Sequence, residues 1–167
     1  ALGAAWYLPE ERQITTKEQM LDEMCATLGG RAAEDLFLNR ISTGAMNDLE
    51  RVTKQAYGMI AYLGMSDKLP NLCYYNNEEY SFNRPYSEKT AELIDTEVKN
   101  MVNEQYERAK KILSEHREGH NQLAQLLIDK EVIFAEDVER IFGKRPWASR
   151  SEEIMAAKES QEAAEAE

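Results

Sequence analysis

Apolar residues recur every three or four positions along most of the chain, which predicts a fold built mainly from helices. The first such stripe predicts a helix over residues 17–38. Thr15 and Thr16 come directly before it and are typical N-cap residues. Gly29 and Gly30 interrupt it, and glycines inside a helix indicate close approach of another helix. The inward-facing residues of this stripe are Met20, Leu21, Met24, Leu28, Ala32, Leu36 and Phe37.

Two more amphipathic helices are predicted in the middle of the chain. The first spans residues 46–63, and Gly64 directly after it is typical of a helix C-terminal cap. The second is long: Ser87 is a typical N-cap, and the apolar stripe after it continues at helical spacing until His116. These helices should therefore supply most of the core.

Shorter elements complete the predicted fold. They are helices over residues 119–130 and 135–142 and short strands over residues 1–8 and 72–75. After Trp147 the sequence is charged and alanine-rich without a clear apolar face, which is typical of a frayed helix or a disordered tail. We therefore predict a mainly α fold over residues 1–147, with one or two short edge strands and a long C-terminal helix, followed by an acidic tail over residues 148–167.

Composition narrows the classes of partner. The chain has 167 residues and a formal net charge of −11, which argues against binding to nucleic acid or to an anionic membrane surface. No apolar run is long enough to span a bilayer. Because Ala1 lies inside the first predicted strand, we expect the chain to belong to a longer polypeptide. Cys25 and Cys73 both stand in apolar surroundings in the sequence, and the helical stripe that carries Cys25 places it in the core. Two cysteines are too few for a disulfide-stapled secreted domain, which favours a reducing compartment.

The stretch HREGH, residues 116–120, comes close to the zinc-protease motif H-E-x-x-H. In that motif two histidines share one helical face, and the glutamate directly after the first is the general base. Here Glu118 stands one position too late, and Gly119 occupies the place of the acid in the inverted motif H-x-x-E-H. The apolar stripe stops at His116. We therefore expect His116 to end one helix and His120 to open the next, and we do not expect the pair to bind metal.

The sequence STGAMNDLERVT, residues 42–53, is harder to explain by packing alone. A turn-forming Ser-Thr-Gly-Ala segment leads into a helix that carries Asp48 in its first turn. A carboxylate in that position is stabilised by the partial positive charge of the helix N-terminus. From these residues alone, Asp48 is either an acid that merely complements the helix dipole or a rigidly held ligand.

Three blocks of sequence follow one another: ALGAAWYLPEE, then LGGRAAE, then STGAMNDLERVT with GMS behind it. Their order and spacing resemble the peptidase domain of the FtsH family, whose members are membrane-anchored, ATP-dependent zinc metalloproteases of the AAA class. The resemblance is strong over residues 1–70 and continues more loosely to residue 143. The loop over residues 71–86 and the tail are individual to this chain. Three ordered blocks are far more specific than a lone motif.

The resemblance implies that Asp48 is a zinc ligand. In the family, two ligands are the histidines of an H-E-x-x-H helix and the third is the aspartate of the NDL element, which here is Asp48. Zinc would polarise the scissile carbonyl and lower the pKa of its bound water to ~7, and the motif glutamate would take the proton. In the family this helix lies upstream of ALG. The chain therefore holds one of three ligands and no general base, and we expect it to be inactive alone.

Glu34 and Asp35, in the segment RAAED, are the other acids of interest. Glu34 stands in a block that resembles the family, which is consistent with a structural role or with support of the metal ligands. A solvated acid on a helix face explains Glu34 equally well, so neither acid is assigned as a ligand.

The resemblance also implies partners and a location. These are protein substrates, a homo-hexamer, and an AAA ATPase domain of the same polypeptide that binds ATP outside this chain, with the parent protein in the cell inner membrane and this domain facing the cytoplasm. The glycines of LGG, residues 28–30, lack the lysine and hydroxyl residue of a P-loop. Two alternatives stay open: a non-catalytic helical oligomerisation module, which composition alone favours, and a relative that has naturally lost its histidine motif.

Overall fold

Helices make up most of the described residues, which confirms the predicted fold class. The computed structural model describes residues 4–7, 14–74, 84–148 and 150–165. The chain divides into two units, one spanning Thr15–Arg117 and the other combining Ala1–Ile14 with Glu118–Glu167.

The first unit is a bundle of helices with one small hairpin. Its α-helices are α1 (Lys17–Thr27), α2 (Gly29–Ala33), α3 (Met46–Tyr57) and α4 (Glu88–Glu115). The short elements between them are a π-helical turn over Glu34–Leu38, a 3-10 turn over Thr43–Ala45, a π-helical turn over Gly58–Tyr62, and an antiparallel pair of strands, β1 (Met65–Ser66) and β2 (Leu69–Pro70). Three helices follow along the chain: α5 (Arg117–Lys130), α6 (Ala135–Phe142) and α7 (Arg150–Glu165).

Side-chain caps fix the starts of α1 and α4, as the sequence predicts. Thr16 Oγ1 accepts a hydrogen bond from the Gln19 N–H at 3.3 Å, and Gln19 Oε1 accepts one from the Thr16 N–H at 2.9 Å, which forms a capping box before α1. Ser87 Oγ accepts a hydrogen bond from the Thr90 N–H at 3.2 Å before α4. Each cap satisfies backbone donors that a helix start leaves unpaired, and such a cap stabilises a helix by about 1 kcal/mol.

Helix α4 forms one side of the core of the first unit, because α1, α2 and α3 all pack against it. The core is apolar, and each large side chain buried there contributes roughly 1.5–3 kcal/mol. Its buried residues are Met24, Leu28, Val52, Ala56, Met59, Ile60, Ala61, Leu69, Ile94 and Val98. The hairpin is tied to the same helix, since Ser66 Oγ donates to Glu97 Oε2 at 3.0 Å and Lys68 Nζ lies 2.9 Å from Glu97 Oε1.

The strand predictions are wrong in the described residues. Residues 4–7 form no strand and are exposed, and residues 72–74 are irregular. A strand needs a hydrogen-bonded neighbour, whereas the Tyr74 N–H donates to the Ala61 carbonyl at the end of a helix, at 2.7 Å. The strands form instead on either side of the turn after Gly64. Residues 1–3, 8 and 75, the other parts of the two predictions, lie outside the described residues.

Close approach to a glycine occurs at positions other than those predicted. Among the described residues, a Cβ added at Gly29 or Gly30 would meet no atom within 4 Å, so no described helix packs on these glycines. A Cβ at Gly64, whose φ is +60°, would stand 2.8 Å from the Asn71 nitrogen. A Cβ at Gly119 would stand 2.4 Å from Cε1 of Phe142. Gly119 lies inside α5, which begins at Arg117. Because it has no side chain, Phe142 of α6 can pack directly against it.

Two glycine-to-alanine substitutions should consequently differ in their effect on stability. Gly30→Ala should stabilise the chain by about 0.4–1 kcal/mol, because alanine fits open space and restricts the unfolded chain. Gly119→Ala should destabilise α5 and α6 by roughly 1–3 kcal/mol before its gain in helix propensity, because the methyl group displaces the Phe142 ring. Urea denaturation of both variants measures the difference. An equal stabilisation of both would contradict the packing of Phe142 on Gly119.

The remaining sequence predictions concern the cysteines and the tail. Cys25 is buried, as predicted, and burial raises the pKa of its thiol. Cys73 is exposed rather than in an apolar environment. In the acidic tail α7 is helical, and its described side chains are exposed over residues 152–159. None of the helices in the described part of the chain combines the length and the apolarity that crossing a bilayer requires.

Candidate metal site at the start of helix α3

The turn before α3 places Asp48 at the end of the helix that faces solvent. Ser42 is extended, with φ −122° and ψ 177°, and its Oγ accepts a hydrogen bond from the Gly44 N–H at 3.2 Å. Ala45 is buried at 6% exposure and anchors the turn, and α3 begins at the next residue. Asp48 is the acid in its first turn, as the sequence predicts.

The Asp48 carboxylate is available to a ligand. Asp48 is exposed, and no described residue forms a hydrogen bond or ion pair with it. One turn further along α3, Val52 is fully buried, so the same helical face continues from the open end into the core. The helix N-terminus favours negative charge at this position. The side chain is therefore held on a rigid element but is open on its outer side.

Glu34 is bound to the turn that precedes Asp48. Its Oε2 accepts from the Ser42 N–H at 3.0 Å, and its Oε1 accepts from the Ser42 hydroxyl at 2.6 Å. These two bonds, the hydroxyl bond first, lower the pKa of the Glu34 carboxyl below its usual value. Arg31 donates from Nη2 to the Ser42 carbonyl at 3.0 Å. Glu34 is thus a partly exposed acid that is hydrogen-bonded to the turn.

Asp35 points to a different element. Its Oδ2 accepts from the Tyr106 hydroxyl at 2.8 Å and from Lys110 Nζ at 3.0 Å, so it joins the turn after α2 to α4. The bond from Tyr106, followed by the bond and the charge of Lys110, lowers the pKa of the Asp35 carboxyl. The neighbouring acids Glu34 and Asp35 therefore bind different parts of the first unit.

The histidines of HREGH lie where the sequence predicts a helix boundary. His116 is the C-terminal residue after α4, with φ −108° and ψ 26°, and His120 lies in α5. The prediction that His120 opens the second helix is wrong by one turn, since α5 begins at Arg117. His116 therefore lies outside α4 and only His120 lies within a helix, which is unlike the single helical face of H-E-x-x-H.

An open groove of about 870 Å³ runs between α2, α3 and α4. Its apolar lining includes Leu28 and Leu49, and Leu49 is the residue next to Asp48. Two acids at its rim already have partners: the Tyr57 hydroxyl donates to Asp95 at 2.7 Å, and Asp35 is bound as described above. The sequence patterns give no sign of this groove, because its lining comes from segments far apart in the chain.

The described residues offer one ligand for a zinc ion. Zinc binds carboxylate oxygen, and a catalytic zinc takes three protein ligands. Asp48 offers such an oxygen, but nowhere in the described ranges do three or more histidine, cysteine, aspartate or glutamate side chains gather closely enough to hold a metal ion. Asp48 is therefore compatible with a ligand set whose other members come from elsewhere.

A comparison with known protein families matches residues 1–141 to peptidase family M41. The chain belongs to this family. The match covers the segments that carry Glu34, Asp48 and HREGH.

Curated relatives agree with the M41 assignment. The chain is 70% identical over 161 residues to an ATP-dependent zinc metalloprotease FtsH of Parabacteroides distasonis, covering 95% of this chain and 24% of that protein. It is 46% identical over 149 residues to the mitochondrial ATP-dependent zinc metalloprotease FTSH 10 of Arabidopsis thaliana, covering 89% and 18%. It is 41% identical over 152 residues to the mitochondrial inner membrane m-AAA protease component AFG3L2 of mouse, covering 90% and 19%. The chain thus spans a quarter or less of each M41 relative.

Within the M41 segment, the sequence predicts the place of Asp48 in the first turn of α3 but not the partners of the turn before it. Arg31 and Ser42 were not singled out, although both contact this turn. The available signal was the spacing Arg-x-x-Glu on one helix, which places two polar side chains on the same face. The spacing does not predict which turn the side chains of Arg31 and Glu34 contact.

Proposed function

We propose that this chain is part of the proteolytic domain of an ATP-dependent, membrane-anchored zinc metalloprotease, which hydrolyses peptide bonds of unfolded or membrane proteins. The observation that carries the proposal is the M41 match over residues 1–141. The names of the relatives support zinc and ATP dependence. The domain occupies residues 1–147, and the acidic segment over residues 148–167 is a tail outside it.

In this proposal Asp48 supplies one zinc ligand. Its exposed carboxylate, on the rigid first turn of α3, is suited to that role. Two histidines and the general-base glutamate belong to an H-E-x-x-H helix that HREGH does not provide. When bound, zinc would polarise the carbonyl of the scissile peptide bond and lower the pKa of the water bound to it. The contribution of this chain is to hold a carboxylate oxygen in a fixed place.

The whole protein needs further parts. We propose an AAA ATPase domain in the same polypeptide, which binds ATP and delivers protein substrates, and assembly as a homo-hexamer in the cell inner membrane with this domain facing the cytoplasm. The net charge of −11 supports protein rather than nucleic acid as the partner.

A non-catalytic helical interaction module is the alternative function. The observation in its favour is that the described side chains bring together no complete metal-binding group. A natural loss of the histidine motif would have the same consequence. Both alternatives predict that no form of the protein cleaves other proteins.

Removing and restoring the metal tests the proposed function. The full-length protease that contains this chain should cleave unfolded casein in the presence of ATP. Cleavage should stop after treatment with a metal chelator and should recover when zinc is added. The 167-residue chain alone should show no zinc-dependent cleavage and only weak zinc binding, and His116→Ala/His120→Ala should not change that binding. Failure of the full-length protein to cleave would favour the non-catalytic module, and tight zinc binding lost in the double variant would reinstate HREGH as the metal site.

A further inference from the structure

Helix α6 exposes an apolar face that the described residues leave uncovered. We propose that this face binds a second copy of the same chain, with the two α6 helices side by side and antiparallel about a two-fold axis at Val138. The contact goes beyond the proposed function, because it depends on neither zinc nor substrate.

The apolar face of α6 follows from the spacing of its large side chains. Phe134 lies directly before the helix, and Val138 and Phe142 follow four and eight residues later, so the three side chains share one side. Their exposed fractions are 67%, 40% and 42%, although Phe142 also packs on Gly119 of α5. Val132, just before this segment, is exposed as well. Large apolar side chains grouped on the surface in this way mark an interaction site.

Helix α6 has little packing of its own. It has eight residues, and Asp137 is the buried one among them. Asp137 serves the corner between α5 and α6, since it accepts from the Phe134 N–H at 3.1 Å, from Arg140 Nη2 at 2.7 Å and from Lys130 Nζ at 3.3 Å. Helices shorter than about 12–15 residues are marginal in water and gain most of their stability from packing of an apolar face. A partner that covers this face would therefore supply packing that α6 lacks.

The charges beside the apolar face favour a second copy as that partner. Glu131 stands seven residues before Val138, and Arg145 stands seven residues after it. Both side chains are exposed, and neither forms an ion pair with a described residue. In an antiparallel pair centred on Val138, residues equally far from the centre lie opposite each other. Glu131 of each copy then faces Arg145 of the other, and Phe134 faces Phe142.

The face of α6 is therefore complementary to itself, which a two-fold contact requires. A parallel pair would instead place Glu131 beside Glu131 and Arg145 beside Arg145, and like charges in contact disfavour a complex. The order of acidic and basic residues along the segment thus selects the antiparallel arrangement.

The contact should be weak and should depend on concentration. Stable complexes bury about 1,200–2,000 Å² in total, and a face with a few large side chains lies at the low end of that range or below it. Exposed ion pairs add little affinity but fix the register of the two surfaces. A two-fold contact closes after two copies, so the proposed hexamer needs a second kind of contact to form its ring.

Disulfide formation in the 167-residue chain tests the antiparallel geometry. All variants carry Cys73→Ser, because Cys73 is exposed, and retain Cys25, which is buried. A disulfide needs two Cβ atoms about 3.5–4.5 Å apart. Val138→Cys should therefore form a linked dimer under mild oxidation, because the two cysteines meet at the axis. Phe134→Cys and Phe142→Cys should form a linked dimer only when the two variants are mixed.

Leu63→Cys is the matched control for chance collisions. Leu63 is an exposed apolar residue of the first unit, at 54% exposure, and lies outside the proposed contact. Its cross-linked fraction gives the background at each protein concentration. Val138→Cys should give several-fold more linked dimer than this background.

Sedimentation equilibrium measures how strongly the copies associate. Val138→Asp brings a charge into the centre of the contact and should weaken association about tenfold or more. Glu131→Arg and Arg145→Glu should each weaken it several-fold, and the two together should restore it, because the ion pair is rebuilt with its charges exchanged. Lys99→Glu makes the same change of charge on α4 and should have little effect. If circular dichroism shows that Val138→Asp loses helix, the charge reversals at exposed positions decide.

Each of five results would overturn the proposal. The first is a chain that stays monomeric at every concentration, and the second is equal cross-linking of Val138→Cys and Leu63→Cys. The third is Phe134→Cys that cross-links with itself as efficiently as Val138→Cys, which would mean a parallel contact. The fourth is a double charge reversal that associates no better than the single reversals. The fifth is loss of association after deletion of residues 148–167, which would make the tail the partner.

Discussion

Replacement of Asp48 by asparagine in a full-length protease that carries this segment is expected to abolish zinc-dependent cleavage of casein. The amide keeps the size of the side chain and its place on α3 but lacks the anionic oxygen that a zinc ion prefers. Zinc contributes several kcal/mol to catalysis, and each ~1.36 kcal/mol is a factor of ten. We therefore expect kcat/KM to fall by about a thousandfold or more, with folding intact because Asp48 is exposed.

Glu50→Gln is the control for this substitution. Glu50 is an exposed acid two residues further along α3, and its Oε1 accepts from Lys54 Nζ at 2.5 Å. Its loss removes the same charge from the same helix without touching the carboxylate of Asp48. Cleavage rates and bound zinc should be close to those of the unmodified protein. An Asp48→Asn protease that retains both zinc and activity would show that the ligand assignment is wrong.

Truncation of Ile94 to alanine should cause a large loss of stability in the first unit. Ile94 lies on α4 at 2% exposure and belongs to the core shared with α1 and α3. Removal of a buried isoleucine side chain beyond Cβ costs about 2–5 kcal/mol, because apolar contacts are lost and a cavity is left behind. Urea denaturation followed by circular dichroism should show a clearly lower midpoint.

Ile112→Ala is the matched variant on the same helix. Ile112 is 43% exposed, so its truncation removes less buried surface, while the gain in helix propensity from isoleucine to alanine is the same. Its midpoint should therefore lie much nearer to that of the unmodified chain. Equal losses in the two variants would mean that α4 does not bury Ile94 in preference to Ile112.

The helices could be predicted because their signals are local. The bounds of α6 agree with the prediction, and α4 starts after Ser87 and stops before His116 as predicted. In both, spacing of apolar residues and capping side chains lie within a few positions of each other. The strand predicted over residues 72–74 failed for the opposite reason. The backbone partner of Tyr74 is Ala61, which lies too far away in the sequence to affect a local alternation of apolar and polar residues.

The candidate site was predictable only in part. Asp48 could be placed in the first turn of a helix from its own neighbours and assigned a role from resemblance. The partner of Glu34 could not be predicted, because a bond to Ser42 depends on how the chain reverses between α2 and α3. Gly29 and Gly30 show the same limit, since a glycine does not reveal whether a neighbour fills its space.

The position of α4 in the sequence has a consequence for synthesis of the protein. The core residues of α1 and α3 close against Ile94 and Val98, which the ribosome adds well after Asp48. Domains generally fold as units as the chain emerges, and helices of this length are marginal without their packing partners. The helix that carries Asp48 therefore lacks its packing on α4 until α4 has left the exit tunnel. Chaperone or protease access to this segment should end when α4 emerges.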